Sequence, residues 1–373
     1  MLAWLGYALL NPGPAPYQYH LVEEGDPGKF PDLGMGAWPD LTIRKYEVRV
    51  EDIAEPIALA WTGSRGQSPA VLLNWENRTG EQLVSLDSKP ADLVTLAGAI
   101  KKYAGKDALI LGWWDTTRQL QLLSGKETLF PSHHTEAPLI THTSWRERAG
   151  AIRQYEDSFW GAAAPAEERK QFERFADAMV SHGKQGAEAL RTMAGSREAY
   201  VVVHVTDLYR LGLMRPEQFG IAWKDFPMGN NMHGLIGYMK RWMQENKYEI
   251  YTLQSLSDKE IRGYFLSDIN HASALLAQMM PFTNTRPLEL EVLQLIYQQG
   301  GYWVYKIPSA AEIAAAKAPE IVPLQRGLTE ETTGAAPSAP PPVMPPDAHK
   351  APPAPPPGVF TPAPGTQAVG TKQ

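Results

Sequence analysis

A continuous apolar run near the middle of the chain, Tyr200 to Val205, constrains the fold more than any other feature. A run of this kind, rich in β-branched residues, is typical of a strand that is buried on both faces. Two further runs, Ala70 to Trp75 and Ala108 to Leu111, have the same character. Because segments of helical periodicity alternate with the strands, the sequence predicts an α/β fold with a mostly parallel sheet flanked by helices.

Periodicity and capping predict the remaining elements. Apolar residues three and four positions apart indicate one helix opened by Pro90 and another opened by Pro165. An amphipathic helix is predicted over 231–246. Other strands are predicted at 43–50, 57–61, 248–253 and 302–307, and other helices near 258–265, 270–280 and 287–298.

The composition changes along the chain and divides it into six predicted segments. After the last predicted strand, alanine and proline dominate, and such a segment cannot bury a core. We therefore expect a disordered proline-rich C-terminal tail. The segments are 1–10 (end of a membrane anchor), 11–40 (extended lead-in), 41–143 (first α/β part), 144–197 (helical insert), 198–308 (second α/β part) and 309–373 (disordered Pro/Ala-rich tail).

The start of the chain is nearly all apolar over 2–10 and is too short to cross a bilayer, which takes about 20 helical residues. Two interpretations stay open. The segment is either a strand or helix packed on the core, or the outer end of an N-terminal anchor with Trp4 and Tyr7 near the membrane interface. We favour the anchor, which places the domain outside the cytoplasm.

Composition excludes several classes of function. The chain has no cysteine, which rules out disulfides, thiolate metal sites and covalently attached c-type haem. Any metal would need histidine, carboxylate or methionine ligands. The 35 basic and 41 acidic residues give a net charge of −6 without a basic stripe, so no nucleic-acid partner is expected.

The first candidate site directly follows the run Ala108 to Leu111. Trp113, Trp114 and Asp115 stand where the predicted strand gives way to the next element, with Arg118 close behind. In open α/β sheets, ligand sites form at the carboxyl ends of strands. The segment is therefore a candidate for ligand or partner binding, although large aromatic residues are also common in cores.

Histidines provide the other candidates. His204 and Asp207 follow the central strand, where they are either an acid–base pair or a buried histidine and a turn cap. His233 lies at a helix start that favours an anion, and a simple glycine-asparagine turn with a helix cap also explains this segment. His133 and His134 are candidate ligands for a metal such as copper, or they belong to a polar loop.

Several segments, occurring in order, resemble the hydroxylamine oxidation protein HaoB family over roughly residues 40–308. The specificity comes from their combination, since no single segment is diagnostic. The segments are WWDTTRQ (113–119), VHVTDLY (203–209), NMHGLIG (231–237), QSLSDKEIR (254–262) and YWVYKIP (302–308).

This resemblance implies an accessory role for a periplasmic protein that is held at the inner membrane by its N-terminus. HaoB proteins accompany the periplasmic multihaem hydroxylamine oxidoreductase of ammonia and methane oxidisers, so the resemblance implies a non-catalytic subunit that binds or tethers that enzyme. It implies no catalytic residue and no cofactor of its own, and the lack of cysteine agrees. Two alternatives stay open: a small-ligand binder or enzyme that uses a cleft around the Trp-Trp-Asp segment, and a metal-binding protein that uses His133, His134 and methionines.

The Trp113-Trp114-Asp115 segment is also similar to part of the signature of oligosaccharyltransferase catalytic subunits, where it helps hold the acceptor peptide. Thr116-Thr117 stands here in place of the Tyr-Gly that follows in those enzymes. The membrane spans that carry their catalytic acids do not occur in this sequence. The similarity leaves open a shared ancestry of the soluble domain and implies no transferase activity.

Overall fold

The structure is a computed structural model that describes residues 14–79, 89–134, 143–161, 163–227, 232–287, 290, 292–309 and 312. The predicted anchor at 1–10 and nearly all of the predicted tail at 309–373 lie outside the described residues. Among the described residues, no helix has both the length and the apolar character needed to cross a membrane.

The helices lie between and around three sheets. The α-helices of the described residues are α1 (Pro90–Tyr103), α2 (Trp114–Ser124), α3 (Ala149–Trp160), α4 (Ala166–Val180), α5 (Gly183–Ala194), α6 (Asp207–Met214), α7 (Met232–Glu245) and α8 (Leu275–Met279). Short 3-10 helices occupy Pro27–Lys29, Pro31–Leu33, Thr143–Arg148 and Ile269–Ser273.

A four-stranded antiparallel sheet comes first along the chain. Its strands follow chain order: β1 (Gln18–Gly25), β2 (Thr42–Arg49), β3 (Ala58–Ser64) and β4 (Val71–Asn77). Residues from this sheet pack against Ile152 and Trp160 of α3 in one apolar cluster. The segment 11–40 thus contains a strand, β1, which lies at the edge of this sheet.

A five-stranded sheet forms the centre of the molecule. Its order is β11 (Gln294–Gln299), β12 (Tyr302–Ile307), β7 (Ala199–His204), β5 (Leu109–Gly112) and β6 (Glu127–Thr128). Along β7, Val201 and Val203 pack on the side of α4 and α5, and Val202 packs on the side of α1. The strand is therefore buried on both faces, as its sequence predicts.

A three-stranded antiparallel sheet completes the fold, in the order β8 (Ile221–Pro227), β10 (Glu260–Leu266) and β9 (Ile250–Ser257). Helix α7 covers one face, where Leu235 and Met239 pack with Phe226 and Phe265. The other face joins the main core through Tyr264 and other residues.

The prediction of a mostly parallel sheet is wrong. Two of the sheets are antiparallel, and in the five-stranded sheet β5 pairs in parallel with β6 and β7 while β12 pairs antiparallel with β7 and β11. The two-residue connections Asp258-Lys259 and Gly300-Gly301 can join only antiparallel neighbours, since a parallel return needs a dozen or more residues. Burial on both faces suggested parallel strands. Strand β12 is buried on both faces although it is antiparallel, because one apolar cluster covers each side of it.

Most of the predicted elements are confirmed with ends shifted by a few residues, including α1, α4, α7, β5, β7 and β12. The helices predicted near 258–265 and 287–298 are wrong, because these segments form strands β10 and β11. The helix predicted near 270–280 is shorter, since only Leu275–Met279 is α-helical after a 3-10 turn.

Candidate functional site

The Trp-Trp-Asp segment lies where two neighbouring parallel strands lead into helices at the same end of the central sheet. Trp113 is the extended residue between β5 and α2, and Thr206 directly precedes α6. Because β5 and β7 pair in register, the two helix starts lie close together. Asp115 and Asp207 occupy the first turns of these helices, where backbone N–H groups favour a carboxylate.

Arg210 joins the two carboxylates. Its guanidinium donates to Asp115 at 2.8 and 2.6 Å and to Asp207 at 3.2 Å. We call Asp115, Asp207 and Arg210 the buried junction, since their side chains are between 2 and 13 % exposed. Arg118, the cation close to Asp115 in sequence, does not pair with it. Sequence reasoning missed Arg210, although its position three residues after Asp207 on one helix was an available signal.

His204 and Asp207 do not form the acid–base pair that was one interpretation of the sequence. Asp207 accepts a hydrogen bond from the backbone N–H of His204 at 2.8 Å, while the His204 Nδ1 lies 2.7 Å from the Thr206 hydroxyl. Burial, and then the charge of Arg210, lowers the pKa of His204 to about 3, so the ring is neutral at pH 7. Burial raises the pKa of Asp207 to about 7 against the opposing effect of Arg210.

Both tryptophans are packed into the interior. Trp113 is 5 % exposed and its ring meets Phe172 edge to face at 5.3 Å. Trp114 is 6 % exposed and contacts the ring of His133 in the same manner at 4.7 Å. Such contacts between buried rings stabilise a core, and neither indole offers an open platform to a partner.

A small cavity lies beside the buried junction. It has room for a single water molecule, since the centre of a water-sized sphere can move in about 10 Å³. All the residues that line it are buried. Its aromatic and polar walls are Trp114, Asp115, Arg118, Gln119, His133 and Trp160.

Arg118 and His133 form a pair on the wall of this cavity. The guanidinium lies 3.1 Å from His133 Nδ1 and also donates to the carbonyl of Ala70 at 2.9 Å. Because a guanidinium only donates, Nδ1 must accept, which places the imidazole proton on Nε2. Burial, and then the charge of Arg118, lowers the pKa of His133 to about 3. Burial lowers the pKa of Arg118 to about 10, which still leaves it charged at pH 7.

His134 contacts a different group. Its Nε2 lies 3.1 Å from Oε1 of Glu168, which also accepts from the N–H and hydroxyl of Ser132. The adjacent histidines therefore bind separate partners. Among the residues that the structure describes, no three histidine or carboxylate side chains are grouped to hold a metal ion.

His233 lies in the first turn of α7, but its side chain is outside the described part of the chain, as are residues 228–231 before it. The anion site predicted at this helix start therefore stays a prediction.

Glu156 is a buried carboxyl group that the sequence did not single out. It is 0 % exposed on α3 and accepts hydrogen bonds from the hydroxyls of Tyr17 and Tyr19 and from the indole N–H of Trp160. Burial raises the pKa of Glu156 to about 7 although these donors favour the ionised form. Trp160 links this group to the cavity, because its ring stacks on His133 at 5.7 Å.

These features define a protein of mixed α and β structure with a buried, internally paired junction of two carboxylates and one guanidinium. The chain belongs to the HaoB family, since the family described as HaoA-associated protein HaoB matches residues 1–307. The resemblance drawn from the sequence is thereby confirmed.

The chain was also compared with curated proteins and with solved structures. No curated protein matches the chain. Among solved structures 12 chains match, including the C. jejuni pglb C-terminal domain, with 10% identity and a TM-score of 0.33. That match covers 58% of this chain and 99% of the other.

Proposed function

We propose that this chain is a non-catalytic accessory subunit that binds the multihaem hydroxylamine oxidoreductase. The observation that carries the proposal is the family match over residues 1–307, whose description associates HaoB with HaoA. The subunit binds or tethers this enzyme, which oxidises hydroxylamine in the metabolism of ammonia or methane oxidisers.

The internal pairing of the buried junction supports a role without catalysis. Asp115 and Asp207 are held by Arg210, and His204 is neutral and hydrogen-bonded to its own turn. General acid–base catalysis needs such groups within reach of a substrate. The neighbouring cavity has room for about one water molecule, which is too small for an organic substrate.

The proposal includes the periplasm as location and an N-terminal tether to the inner membrane. The apolar character of residues 2–10 supports the tether. The chain has no cysteine and therefore attaches no c-type haem of its own, so electron transfer in the complex belongs to the partner.

Two adjoining grooves between α4, α5 and the edge strand β6 form the surface that best fits a protein partner. They have volumes of about 400 and 570 Å³ and share Leu129, Gln171 and Met193. Arg174 and Arg197 belong to their walls, so apolar side chains lie among charged ones. Protein interfaces combine an apolar centre that is enriched in methionine with a polar rim. We assign the oxidoreductase to this surface, named the α4–α5 groove.

Size exclusion with light scattering tests the proposal on the purified chain mixed with its cognate oxidoreductase. We expect a stable species whose mass is the sum of both proteins. Met193→Asp is expected to weaken the complex at least tenfold, because it places a charge at the centre of the groove. Tyr103→Asp is the matched control: Tyr103 is 73% exposed on α1, on the other side of the central sheet, and its replacement should leave binding unchanged. Absence of any complex with the unmodified chain would contradict the proposal.

A further inference from the structure

Arg118 carries a buried positive charge without a paired carboxylate. It is 5 % exposed, and its hydrogen bonds go to the neutral ring of His133 and to the carbonyl of Ala70. Within the described residues, no aspartate or glutamate forms an ion pair with it. A buried charge is costly unless it is paired, so this arrangement calls for a negative partner.

His133 adds a second unsatisfied donor on the same wall. Its Nδ1 accepts from Arg118, so the proton is on Nε2, and Nε2 is buried without a hydrogen-bond partner among the described residues. Buried polar groups of this kind are rarely left unpaired in folded proteins. The cavity that both side chains line therefore presents a guanidinium and an imidazole N–H, both of which only donate.

The carboxylate on the cavity wall does not oppose an anion strongly. Both oxygens of Asp115 are engaged, by the guanidinium of Arg210 and by the backbone N–H of Thr116 at 2.7 Å. Arg210 offsets the charge of Asp115 most fully when Asp207 is protonated, and burial raises the pKa of Asp207 to about 7. The charge of Glu168 acts on Arg118 at longer range, and its carboxylate is hydrogen-bonded to Ser132 and His134.

We propose that this cavity binds one small monovalent anion of halide size, held by the guanidinium of Arg118 and the Nε2–H of His133. The room of about 10 Å³ limits the ligand to roughly the size of a water molecule, which excludes phosphate, sulfate and carboxylic acids. The bound anion supplies a direct ionic contact for Arg118, which Asp115 and Glu168 influence only from beyond ion-pair distance, and the acceptor that His133 lacks. The site is distinct from the proposed partner surface, and the two proposals stand or fall separately.

Thermal unfolding of the purified chain in sodium bromide tests this site, with sodium nitrate holding the ionic strength constant, because nitrate has a general effect on stability close to that of bromide whereas sulfate would itself raise Tm. Bromide is expected to raise Tm in a saturable manner by about 2–4 °C, because it binds the folded chain only. His133→Phe keeps a ring between Trp114 and Trp160 but removes the N–H, so we expect the bromide dependence to disappear. His20→Phe is the matched control, since His20 is exposed on β1, and should respond as the unmodified chain does.

A crystal of the unmodified chain grown with bromide provides a test that needs no variant. Anomalous scattering is expected to place one bromide within hydrogen-bond distance of His133 Nε2 and Arg118. A water molecule in the cavity with no anomalous signal would overturn the proposal. A bromide response that is absent in the unmodified chain, or fully retained in folded His133→Phe, would also overturn it.

Discussion

Asp115 and Arg210 form a bidentate ion pair, with bonds of 2.8 and 2.6 Å, between residues 95 positions apart in the sequence. The pair ties the start of α2 to α6 at the end of the central sheet. Since Arg210 also contacts Asp207, one guanidinium is shared by both carboxylates that follow the parallel strands. In α/β folds, ligands bind at the carboxyl ends of the parallel strands. In this protein, an ion pair between α2 and α6 occupies that position.

Arg210→Met is expected to destabilise the protein by about 3–5 kcal/mol, because it leaves Asp115 and Asp207 buried without their cation. Urea unfolding followed by circular dichroism measures this loss. Arg78→Met is the control, since Arg78 pairs with Glu76 where both side chains are 48% exposed, and its cost should stay below about 1 kcal/mol. Equal effects of the two variants would contradict a structural role for the junction.

Glu156 makes the stability depend on pH. Its folded pKa of about 7 lies above the ordinary value of 4.5, so the folded state binds more protons than the unfolded chain between these values. The free energy of unfolding therefore falls as the pH rises from about 4.5 to about 7, by at most about 1.4 kcal/mol per pH unit for this one group. Asp207 adds to the fall in an overlapping range, since burial raises its pKa from 3.8 to about 7.

Glu156→Gln should flatten this pH profile without removing it, because Asp207 still titrates. Chemical unfolding at a series of pH values between 4 and 8 gives the slope. Glu167→Gln, which removes an exposed carboxyl group from α4, is the control and should keep the slope of the unmodified chain. An unchanged slope in Glu156→Gln would show that this carboxyl is ionised at low pH in the folded state.

Trp114→Ala is expected to cost about 3–5 kcal/mol, because it leaves a cavity between His133 and the core. Differential scanning calorimetry follows the loss as a lower Tm. Tyr103→Ala removes a ring that is 73% exposed and should change stability by no more than about 0.5 kcal/mol. A Trp114→Ala protein that melts with the unmodified chain would argue that the segment is exposed for binding.

Gly301 lies against the ring of His204, and a Cβ at Gly301 would come within 2.2 Å of Nε2. Gly301→Ala is therefore expected to destabilise the protein by about 1–3 kcal/mol through overpacking. Gly98→Ala on α1 is the contrasting change: its Cβ meets nothing within 4 Å, and alanine is a better helix former by about 1 kcal/mol. In equilibrium unfolding, the free energy of unfolding should fall for Gly301→Ala and rise for Gly98→Ala.

Sequence patterns predicted individual elements well and their arrangement poorly. The run Tyr200 to Val205 is buried on both faces whether its neighbours are parallel or antiparallel. It therefore predicted the strand correctly, and the expected parallel pairing holds for β5 but not for β12. The pair Gly300-Gly301 is a strong hairpin signal, and Gly300 has the positive φ of 58° that such turns require. This hairpin signal predicts the antiparallel pair β11–β12 in place of the helix near 287–298.

The position of the candidate site could be predicted from the sequence, but the contacts of its side chains could not. The apolar run before Trp113 predicted the strand end and the helix start, which the structure places at the junction. The partner of Asp115 could not be found in this way, because Arg210 reaches it only through the pairing of β5 with β7. The Arg118–His133 contact likewise depends on a loop that folds back onto α2, and no spacing rule predicts such contacts.

We expect this protein to bind its partner through the surface while the Trp-Trp-Asp segment serves as part of the core. Biolayer interferometry of the unmodified chain and of Trp114→Phe, each against immobilised cognate hydroxylamine oxidoreductase, tests both parts together. We predict that both bind with Kd values within about twofold, since phenylalanine keeps a ring at this buried position. No binding by the unmodified chain, or loss of binding in folded Trp114→Phe, would contradict the account.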